Sequence, residues 1–268
     1  MIGPLSYIGG KNRIAAHIIA LLPEHTTYVE PFSGGAQVFF HKEPSKVEVL
    51  NDLDTDVVNF LRVCQWHHQE LIRHLEYTVV SRRWYDLLKA TDPATLTDIQ
   101  RAARFFYLQK NSFGGLIVRQ NYHYGVVQAP NYNPIRIPEL LRQTHERLRR
   151  VQIEQLPYHE VIERYDRPTT LFYLDPPYYR RKLYRHNFSD EDFENLEQQL
   201  STVSGNWLLS IDDHPEIRRI FARHRMRPIS FAYSSQPKAG NRYAELLISN
   251  FDLPQVKTTE PAPQKTTV

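Results

Sequence analysis

One stretch decides the fold of this chain: Thr170-Leu171-Phe172-Tyr173-Leu174-Asp175-Pro176-Pro177-Tyr178. Its first five residues are apolar, aromatic or β-branched, as in a buried strand, and the two prolines after Asp175 end that strand. Ligands of open α/β sheets bind at the carboxyl ends of the strands. The stretch therefore predicts an α/β protein with a binding site that starts at Asp175.

The tetrapeptide Asp175-Pro176-Pro177-Tyr178 brings a carboxylate, free carbonyl groups and an aromatic ring to one strand end. Because proline has a fixed φ and no N–H, the carbonyls around it can point at a ligand. Two acceptors and an aromatic face suit an exocyclic amine on a flat ring. The alternative is an ordinary polar turn after a strand.

A second segment predicts where a nucleoside binds. Residues 26–29 have a strand pattern, Glu30-Pro31-Phe32-Ser33-Gly34-Gly35 forms a loop, and a helix pattern follows, which is the order that opens nucleotide-binding α/β units. The dinucleotide and phosphate-loop fingerprints are absent. Residues 46–50 predict the next strand, and Asp52 after it can accept from two ribose hydroxyls. Glu30 would repel phosphates but can hold a cation, so S-adenosylmethionine fits better than NAD or ATP.

Glycine is scarce in this chain, yet six of the ten glycines form three adjacent pairs. These pairs, at positions 9–10, 34–35 and 114–115, indicate places where the backbone turns or approaches a neighbour closely. The first pair belongs to Tyr7-Ile8-Gly9-Gly10-Lys11, ahead of a helical pattern. Lys11 beside a glycine turn can bind a carboxylate, such as the amino-acid end of the donor. The alternative is a solvated lysine in an N-terminal loop.

The rest of the chain alternates strands and helices around one long insertion. Strands are predicted at residues 151–154, 206–211, 228–233 and 244–250, the last two as an antiparallel hairpin. Helical periodicity covers residues 56–90 and 97–110, and a loop-rich stretch follows. We expect a catalytic domain of residues 1–55 and 146–253, a mostly helical insertion of residues 56–145, and a disordered tail at 254–268.

Composition excludes several classes of protein. The chain has 268 residues, a net charge of +3 and one cysteine, so it has no internal disulfide framework, and its mild charge permits nucleic-acid binding. Cys64, His67 and His68 lack a second ligand pair at zinc spacing, so no metal is expected. No segment is apolar enough to span a bilayer and the N-terminus lacks a signal-peptide pattern, so a cytoplasmic location is expected.

The order of these motifs resembles that of Dam-like DNA adenine-N6 methyltransferases. That family runs from YxGGK through a PFxGxG-like loop and a target-recognition insertion to DPPY, and the segments at Tyr7, Pro31, Asn51-Asp52 and Asp175 follow the same order. Residues 241–247, Asn-Arg-Tyr-Ala-Glu-Leu-Leu, match a late motif that enters the last strand. The resemblance covers about residues 5–250. One departure is Ala36, where the family loop often has a glycine.

The resemblance implies the methyltransferase fold, a seven-stranded sheet whose last strand is antiparallel, with S-adenosylmethionine as methyl donor. It implies these cofactor-binding residues: Tyr7, Gly10, Lys11, Glu30, Phe32, Gly34, Asp52 and Asp175. The implied catalytic residues are Asp175, Pro176, Pro177 and Tyr178. Asp175 and the Pro176 carbonyl would accept the amine hydrogens, and Tyr178 would stack on an adenine flipped out of the duplex at a cost of a few kcal/mol.

Two segments are expected to contact double-stranded DNA. Their residues are Asn111, Phe113, Arg119, Asn121, Arg180, Arg181 and Lys182. The first segment carries side-chain types that read base edges, and Phe113 matches the aromatic that wedges into the base stack in Dam-like enzymes. The second would track phosphates. Arg119 lies one place further along than in GATC-reading members, which puts a GATC target in doubt. The alternative for both segments is a solvated charged loop.

Other functions stay open at this point. Amino methylation of cytosine N4, of RNA or of a protein amide uses similar tetrapeptides, although aspartate in the first position favours adenine. A catalytically silent DNA- or cofactor-binding module has no reason to keep Tyr7, Lys11, Asp52 and Asp175 together. A nicotinamide oxidoreductase is disfavoured by the missing fingerprint. A partner endonuclease, as in restriction-modification systems, is compatible with the adenine assignment.

Overall fold

The computed structural model describes residues 1, 3–7, 9–118, 120–123, 131–231 and 243–254. Arg119, the turn of the last hairpin, the start of the late motif at residues 241–242 and the tail from residue 255 lie outside this range, as does the side chain of Phe113. The strands are β1 Thr27–Glu30, β2 Val47–Asn51, β3 Gln152–Glu154, β4 Thr170–Leu174, β5 Asn206–Asp212, β6 Arg225–Phe231 and β7 Tyr243–Ser249.

Ten α-helices occur among the described residues, together with 3₁₀ turns at Pro93–Thr95 and Phe113–Gly115. They are α1 Ala15–Ile19, α2 Gln37–His41, α3 Thr55–Trp66, α4 His68–Glu76, α5 Arg82–Ala90, α6 Asp98–Asn111, α7 Ile137–Leu148, α8 Tyr158–Tyr165, α9 Asp190–Leu200 and α10 Pro215–Ile220. No helix in the described part of the chain is long and apolar enough to cross a membrane.

The seven strands form one mixed sheet in the order β3-β2-β1-β4-β5-β7-β6. Strands β1 to β5 are parallel, whereas β7 is antiparallel to both β5 and β6. The expected α/β class and the antiparallel last strand are therefore confirmed. The sheet tolerates Pro228 because β6 is an edge strand, where a missing N–H costs little.

The direction of β7 matters for the site. Because β7 runs opposite to β4 and β5, its first residues lie at the edge where the parallel strands end. Glu245 accordingly pairs in register with Asp212, the last residue of β5. An acid near the start of β7 thus reaches the same edge as Asp175, which follows β4.

Alternating residues of the central strands bury two separate cores. Tyr28 and Tyr173 face one core, to which α1 to α7 contribute, while Val29 and Phe172 face the other, which is covered by α8, α9 and α10. This alternation is the period of two that a strand buried on both faces must have.

The helices between β2 and β3 share the first core with the sheet. Phe60 of α3 stacks on Phe106 of α6 with ring centroids 5.6 Å apart, and both belong to the buried cluster that contains Tyr28 of β1. The helical character expected for residues 56–145 is therefore present, but the segment packs on the sheet as part of one core. Its role in target recognition stays a prediction.

Candidate active site

One pocket opens at the carboxyl edge of the sheet, where β1, β2 and β4 end. All eight residues expected to bind the cofactor line it: Tyr7, Gly10, Lys11, Glu30, Phe32, Gly34, Asp52 and Asp175. Pro177 lines it as well. Segments far apart in sequence thus converge on one cavity: the loop of Tyr7 and Lys11 ahead of α1, and the segments that follow β1, β2 and β4.

The glycine pair at Gly34-Gly35 is explained by the ring of Tyr7. A Cβ added to Gly34 would lie 2.8 Å from Cε1 of Tyr7, and one added to Gly35 would lie 2.8 Å from its Cβ. Gly34 has a φ of 46°, and Ala36 after it has a φ of 48°, in the region that glycine favours. The loop can therefore wrap tightly around Tyr7, although Ala36 strains it by about 1 kcal/mol.

The third glycine pair is packed behind the same tyrosine. Gly115 has a φ of 67°, and a Cβ there would lie 2.5 Å from the carbonyl oxygen of Ser6. The backbone of the segment after α6 therefore lies directly against the backbone that carries Tyr7. The first pair is packed as closely, since a Cβ on Gly9 would lie 2.7 Å from the Tyr184 hydroxyl and one on Gly10 would lie 2.8 Å from the Tyr7 carbonyl oxygen. The expectation that each glycine pair permits a turn or a close approach therefore agrees with the packing at all three pairs.

Asp52 has the position of a ribose-binding acid at the end of β2. The backbone N–H groups of Gly34 and Asp54 each donate to one of its oxygens, both at 2.8 Å. Burial raises the pKa of Asp52 to about 6, and these two N–H groups oppose the rise. Each oxygen keeps a second lone pair, so the carboxylate can still accept from two hydroxyls.

Glu30 is 2% exposed at the end of β1. The hydroxyl of Tyr28 and the backbone N–H of Phe39 both donate to its Oε1, at 2.8 and 2.9 Å. Burial raises the pKa of Glu30 to about 8 and so disfavours its charged form. The expected role in holding a cation requires that the cation itself draw the proton off, since a positive charge nearby lowers an acid's pKa.

Lys11 is 4% exposed, so the alternative of a solvated lysine is wrong. Its Nζ donates to Asp175 Oδ1 at 2.6 Å, to the Tyr178 hydroxyl at 2.8 Å and to the Gly9 carbonyl at 3.1 Å. These bonds engage all three ammonium hydrogens, which does not favour the expected contact with the donor's carboxylate. The lysine instead acts as the counter-ion of Asp175.

Asp175 lines the pocket and is also the first residue of the tetrapeptide Asp175-Pro176-Pro177-Tyr178. Burial raises its pKa to about 6, while the adjacent ammonium group of Lys11 lowers it. Tyr178 is 8% exposed and donates its hydroxyl to Glu245 Oε1. In this conformation its ring faces Lys11, at 4.8 Å from Nζ to the ring centroid, and little of it is open to a stacked base.

Sequence reasoning missed a second wall of the pocket, formed by Tyr158 and the loop that contains Tyr184, Arg185 and Phe188. Phe32, Tyr158 and Phe188 form a triangle of rings with centroids 5.4–5.5 Å apart. The sequence signal for this loop is its mixture of basic and aromatic residues, but the only role predicted for it is phosphate contact, at Arg180, Arg181 and Lys182. Tyr158 had no sequence signal of its own.

Arg185 differs from the other cations of its loop. Its Nη1 lies 2.7 Å from Asp54 Oδ1 and 2.7 Å from Asp56 Oδ2, and both carboxylates are buried. Asp56 also binds Arg101 of α6 at 2.5 Å. The loop is thereby tied to the start of α3 and to α6.

Of the residues expected to contact DNA, Arg180, Arg181 and Lys182 are exposed, in the loop between Pro177 and Tyr184, which both line the pocket. Arg180 binds the exposed Asp190 at 2.9 Å, and Arg181 lies 3.6 Å from Asp212. They are free enough to meet phosphates, since exposed ion pairs exchange readily with solvent ions.

The segment after α6 doubles back on itself, with an antiparallel bridge between Ser112 and Tyr122. Asn121 in this segment is exposed. Asn111 is fully buried and donates its Nδ2 to the Tyr107 carbonyl at 2.9 Å. A side chain in that position faces the protein interior, so the expected base contact of Asn111 is not supported by its placement.

Comparisons with known proteins found DNA methyltransferases that are similar to this chain. The type II methyltransferase M1.LlaDCHI of Lactococcus lactis subsp. cremoris is 26% identical over 268 residues, which cover 91% of this chain and 94% of the relative. The DNA adenine methylase of Vibrio cholerae serotype O1 is 27% identical and covers 65% of this chain and 64% of the relative.

The crystal structure of SMU.472 complexed with SAH is 14% identical, with a TM-score of 0.40 over 92% of this chain, which spans 54% of that structure's chain. Because that similarity is low, we assign the fold from the observed strand order alone. The profile of the D12 class N6 adenine-specific DNA methyltransferases matches residues 7–233, from the Tyr7 loop to the end of β6. The chain belongs to this family of DNA adenine-N6 methyltransferases.

Proposed function

We propose that the pocket binds S-adenosylmethionine and that Asp175 receives the amine of an adenine flipped out of double-stranded DNA. The observation that carries the proposal is the convergence of Asp52, Glu30 and Asp175 on one cavity. A ribose acceptor, a carboxyl group that can pair with a cation and an amine acceptor are the groups that this donor and this base require. Phosphate-binding features are absent from the sequence of the pocket loop, which disfavours NAD and ATP.

Different residues of the pocket would bind different parts of the donor. Phe32, Tyr158 and Phe188 offer apolar rings for the donor's adenine, and Asp52 offers oxygens for its ribose hydroxyls. Asp175 and its partner Lys11 lie across β1 from Asp52, because β1 separates β2 from β4 in the sheet. This arrangement would orient the donor along the edge of the sheet, with its reactive end towards Asp175.

At the base end, Asp175 Oδ and the Pro176 carbonyl accept the two amine hydrogens. That geometry keeps electron density on the nitrogen and lets it pyramidalise, and acceptors held in place before the reaction need no reorganisation. When bound, S-adenosylmethionine would supply a methyl group that is already activated on a sulfonium. The nitrogen–carbon bond would form as the carbon–sulfur bond breaks, and the amine would then lose one proton to solvent. The residues mainly align the reacting atoms, an effect of orientation.

The DNA surface of the proposal has two parts. Arg180, Arg181 and Lys182 would track phosphates beside the flipped base, and Asn121 with the segment around Phe113 and Arg119 would read the recognition sequence. GATC remains a doubtful target. Cytosine N4 and RNA are not favoured, since the family description specifies adenine in DNA.

The proposal extends to the setting of the enzyme. It includes a partner endonuclease, as in restriction-modification systems, and the similar Lactococcus protein is named a type II methyltransferase. We also infer that the protein works in the cytoplasm, with the DNA it modifies.

The test is methylation of plasmid DNA with labelled donor, followed by identification of the modified nucleoside. N6-methyladenine is the expected product, whereas N4-methylcytosine would contradict the proposed base. Asp175→Asn should lower turnover about 10²–10³-fold, because it removes the charged acceptor, while donor binding changes less than about tenfold. Asp252→Asn, at an exposed position outside the site, is the control and should keep full activity. Near-normal turnover of Asp175→Asn would refute the role of Asp175.

A further inference from the structure

Glu245 is an acid of the catalytic edge that contacts both Tyr178 and Lys11, and the mechanism above gives it no role. It lies in β7, and its side chain is 14% exposed. Its Oε1 accepts the hydroxyl hydrogen of Tyr178 and lies 3.9 Å from Lys11 Nζ. Its Oε2 is buried and has no hydrogen-bond partner among the described residues.

The hydrogen bonds around Lys11 have a fixed direction. Tyr178 donates its single hydroxyl hydrogen to Glu245, so its oxygen can only accept from Lys11. Lys11 is thereby held with one hydrogen aimed at Asp175. Without an acceptor at position 245, the Tyr178 hydroxyl could turn and compete with Lys11 for the Asp175 carboxylate.

The charges of this cluster do not cancel. One ammonium group, Lys11, lies between two carboxylates, Asp175 at 2.6 Å and Glu245 at 3.9 Å. When both acids are ionised the cluster has a net charge of −1. A ligand with a single positive charge next to Asp175 would neutralise it.

We propose that Glu245 is a positioning residue for methyl transfer: through Tyr178 and Lys11 it orients Asp175, and its charge leaves the cluster one negative charge in excess for a sulfonium donor. The inference rests on the proposed function, since it assumes that S-adenosylmethionine binds beside Asp175. It explains why the late motif carries an acid at the start of β7. It also predicts that the site distinguishes the cationic donor from its neutral product.

The first test compares donor and product binding by calorimetry in Glu245→Gln. The two ligands differ in one methyl group and one positive charge. Loss of the carboxylate should weaken S-adenosylmethionine binding about five- to tenfold and leave S-adenosylhomocysteine binding within about twofold, since only the cationic ligand feels the missing charge. Equal losses for both ligands would overturn the proposal, as would no loss for either.

Two further variants distinguish the effect of the charge at position 245 from an effect on folding. Glu245→Asp keeps the charge but shortens the reach to Tyr178, so it should retain the preference for the donor while turnover falls; loss of the preference would overturn the proposal. It also serves if Glu245→Gln does not fold. Asp252→Asn removes one exposed negative charge at the far end of β7 and should leave both affinities unchanged.

The pH profile of single-turnover methylation gives a readout that a purely structural role would not move. Burial raises the pKa of Asp175, Lys11 lowers it and Glu245 raises it. Glu245→Gln removes a nearby negative charge, so the acidic limb, expected near pH 6 in the unmodified protein, should move to lower pH. A limb that stays in place would overturn the proposal. The groups that face Asp175 are Lys11, Glu30, Tyr173, Tyr178, Tyr184, Ser210 and Glu245.

Failure of this inference is distinguishable from failure of the proposed function. If the unmodified protein binds neither S-adenosylmethionine nor S-adenosylhomocysteine, the pocket assignment itself is wrong. If it binds both and methylates DNA, but Glu245→Gln changes both affinities alike, only the role of Glu245 is wrong.

Discussion

The two halves of the loop between Tyr178 and α9 differ in what their cations bind: Arg180 in the first half binds an exposed acid, and Arg185 in the second binds buried acids. Arg180 is 70% exposed and its partner Asp190 is 54% exposed. Arg185 is 39% exposed, yet its partners Asp54 and Asp56 are only 5% and 1% exposed. The same residue type is thus a surface charge at one position and the counter-ion of a buried acid pair five positions later.

The basic residues of one loop therefore do not all have the same role, and each must be considered separately as a possible DNA contact. A buried carboxylate needs a partner, because an unpaired buried charge costs several kcal/mol, whereas an exposed pair contributes little. Arg185 is therefore needed inside the protein, as the counter-ion of Asp54 and Asp56. Arg180, Arg181 and Lys182 remain available to phosphates, and in sequence nothing separates the two groups.

The largest effect should come from Arg185→Gln. Removing the guanidinium leaves Asp54 and Asp56 short of a counter-ion, although Arg101 still binds Asp56. Because Arg185 is partly exposed, we expect a loss of about 1–3 kcal/mol in the free energy of unfolding, below the cost of breaking a fully buried pair. Donor affinity should fall as well, since the loop lines the pocket.

Urea denaturation and calorimetry with S-adenosylmethionine measure these effects. Lys182→Gln removes a positive charge from the exposed half of the same loop and is the matched control for stability. If the two variants were equally stable, the contrast between the halves of the loop would be lost.

An intermediate effect is expected for the charge reversal Arg180→Glu/Arg181→Glu. Two lost phosphate contacts should reduce the salt slope of DNA binding by about 2 and lower affinity at least about tenfold at low salt. Donor binding should not change. Fluorescence anisotropy at several salt concentrations measures the slope.

The control for this reversal is Arg149→Glu/Arg150→Glu. Both arginines are exposed, and they precede β3, so they lie at the opposite edge of the sheet. The same change of charge there should leave the salt slope almost intact. Equal slopes for the two double variants would mean that net charge, and not this loop, governs DNA binding.

The smallest effect is expected for Asp190→Asn. This change releases Arg180 from its exposed partner without touching Arg185. DNA affinity should rise about two- to threefold at low salt, because one more cation is free for phosphates, and thermal stability should stay the same. A marked drop in melting temperature would show that the Arg180 pair is structural after all, as the Arg185 pair is.

Much of the fold followed from local pattern. Residues 170–174 were expected as a buried strand and form β4 with the same bounds, because the prolines after Asp175 cannot continue a sheet ladder. The last hairpin was expected too, but β6 starts at Arg225, before Pro228. Pairing with β7 extends it, and only its edge position makes the proline tolerable.

Local sequence pattern was enough to identify Glu30, Asp52 and Asp175 as residues that follow strands, and these share the pocket because parallel strands end at one edge of the sheet. The role of each charge at that edge depends on the folded structure. Lys11 and Asp175 are 164 positions apart, and Arg185 and Asp54 are 131 apart. Which acid pairs with which cation depends on burial and on distances across the folded sheet. Neither can be read from a local sequence pattern.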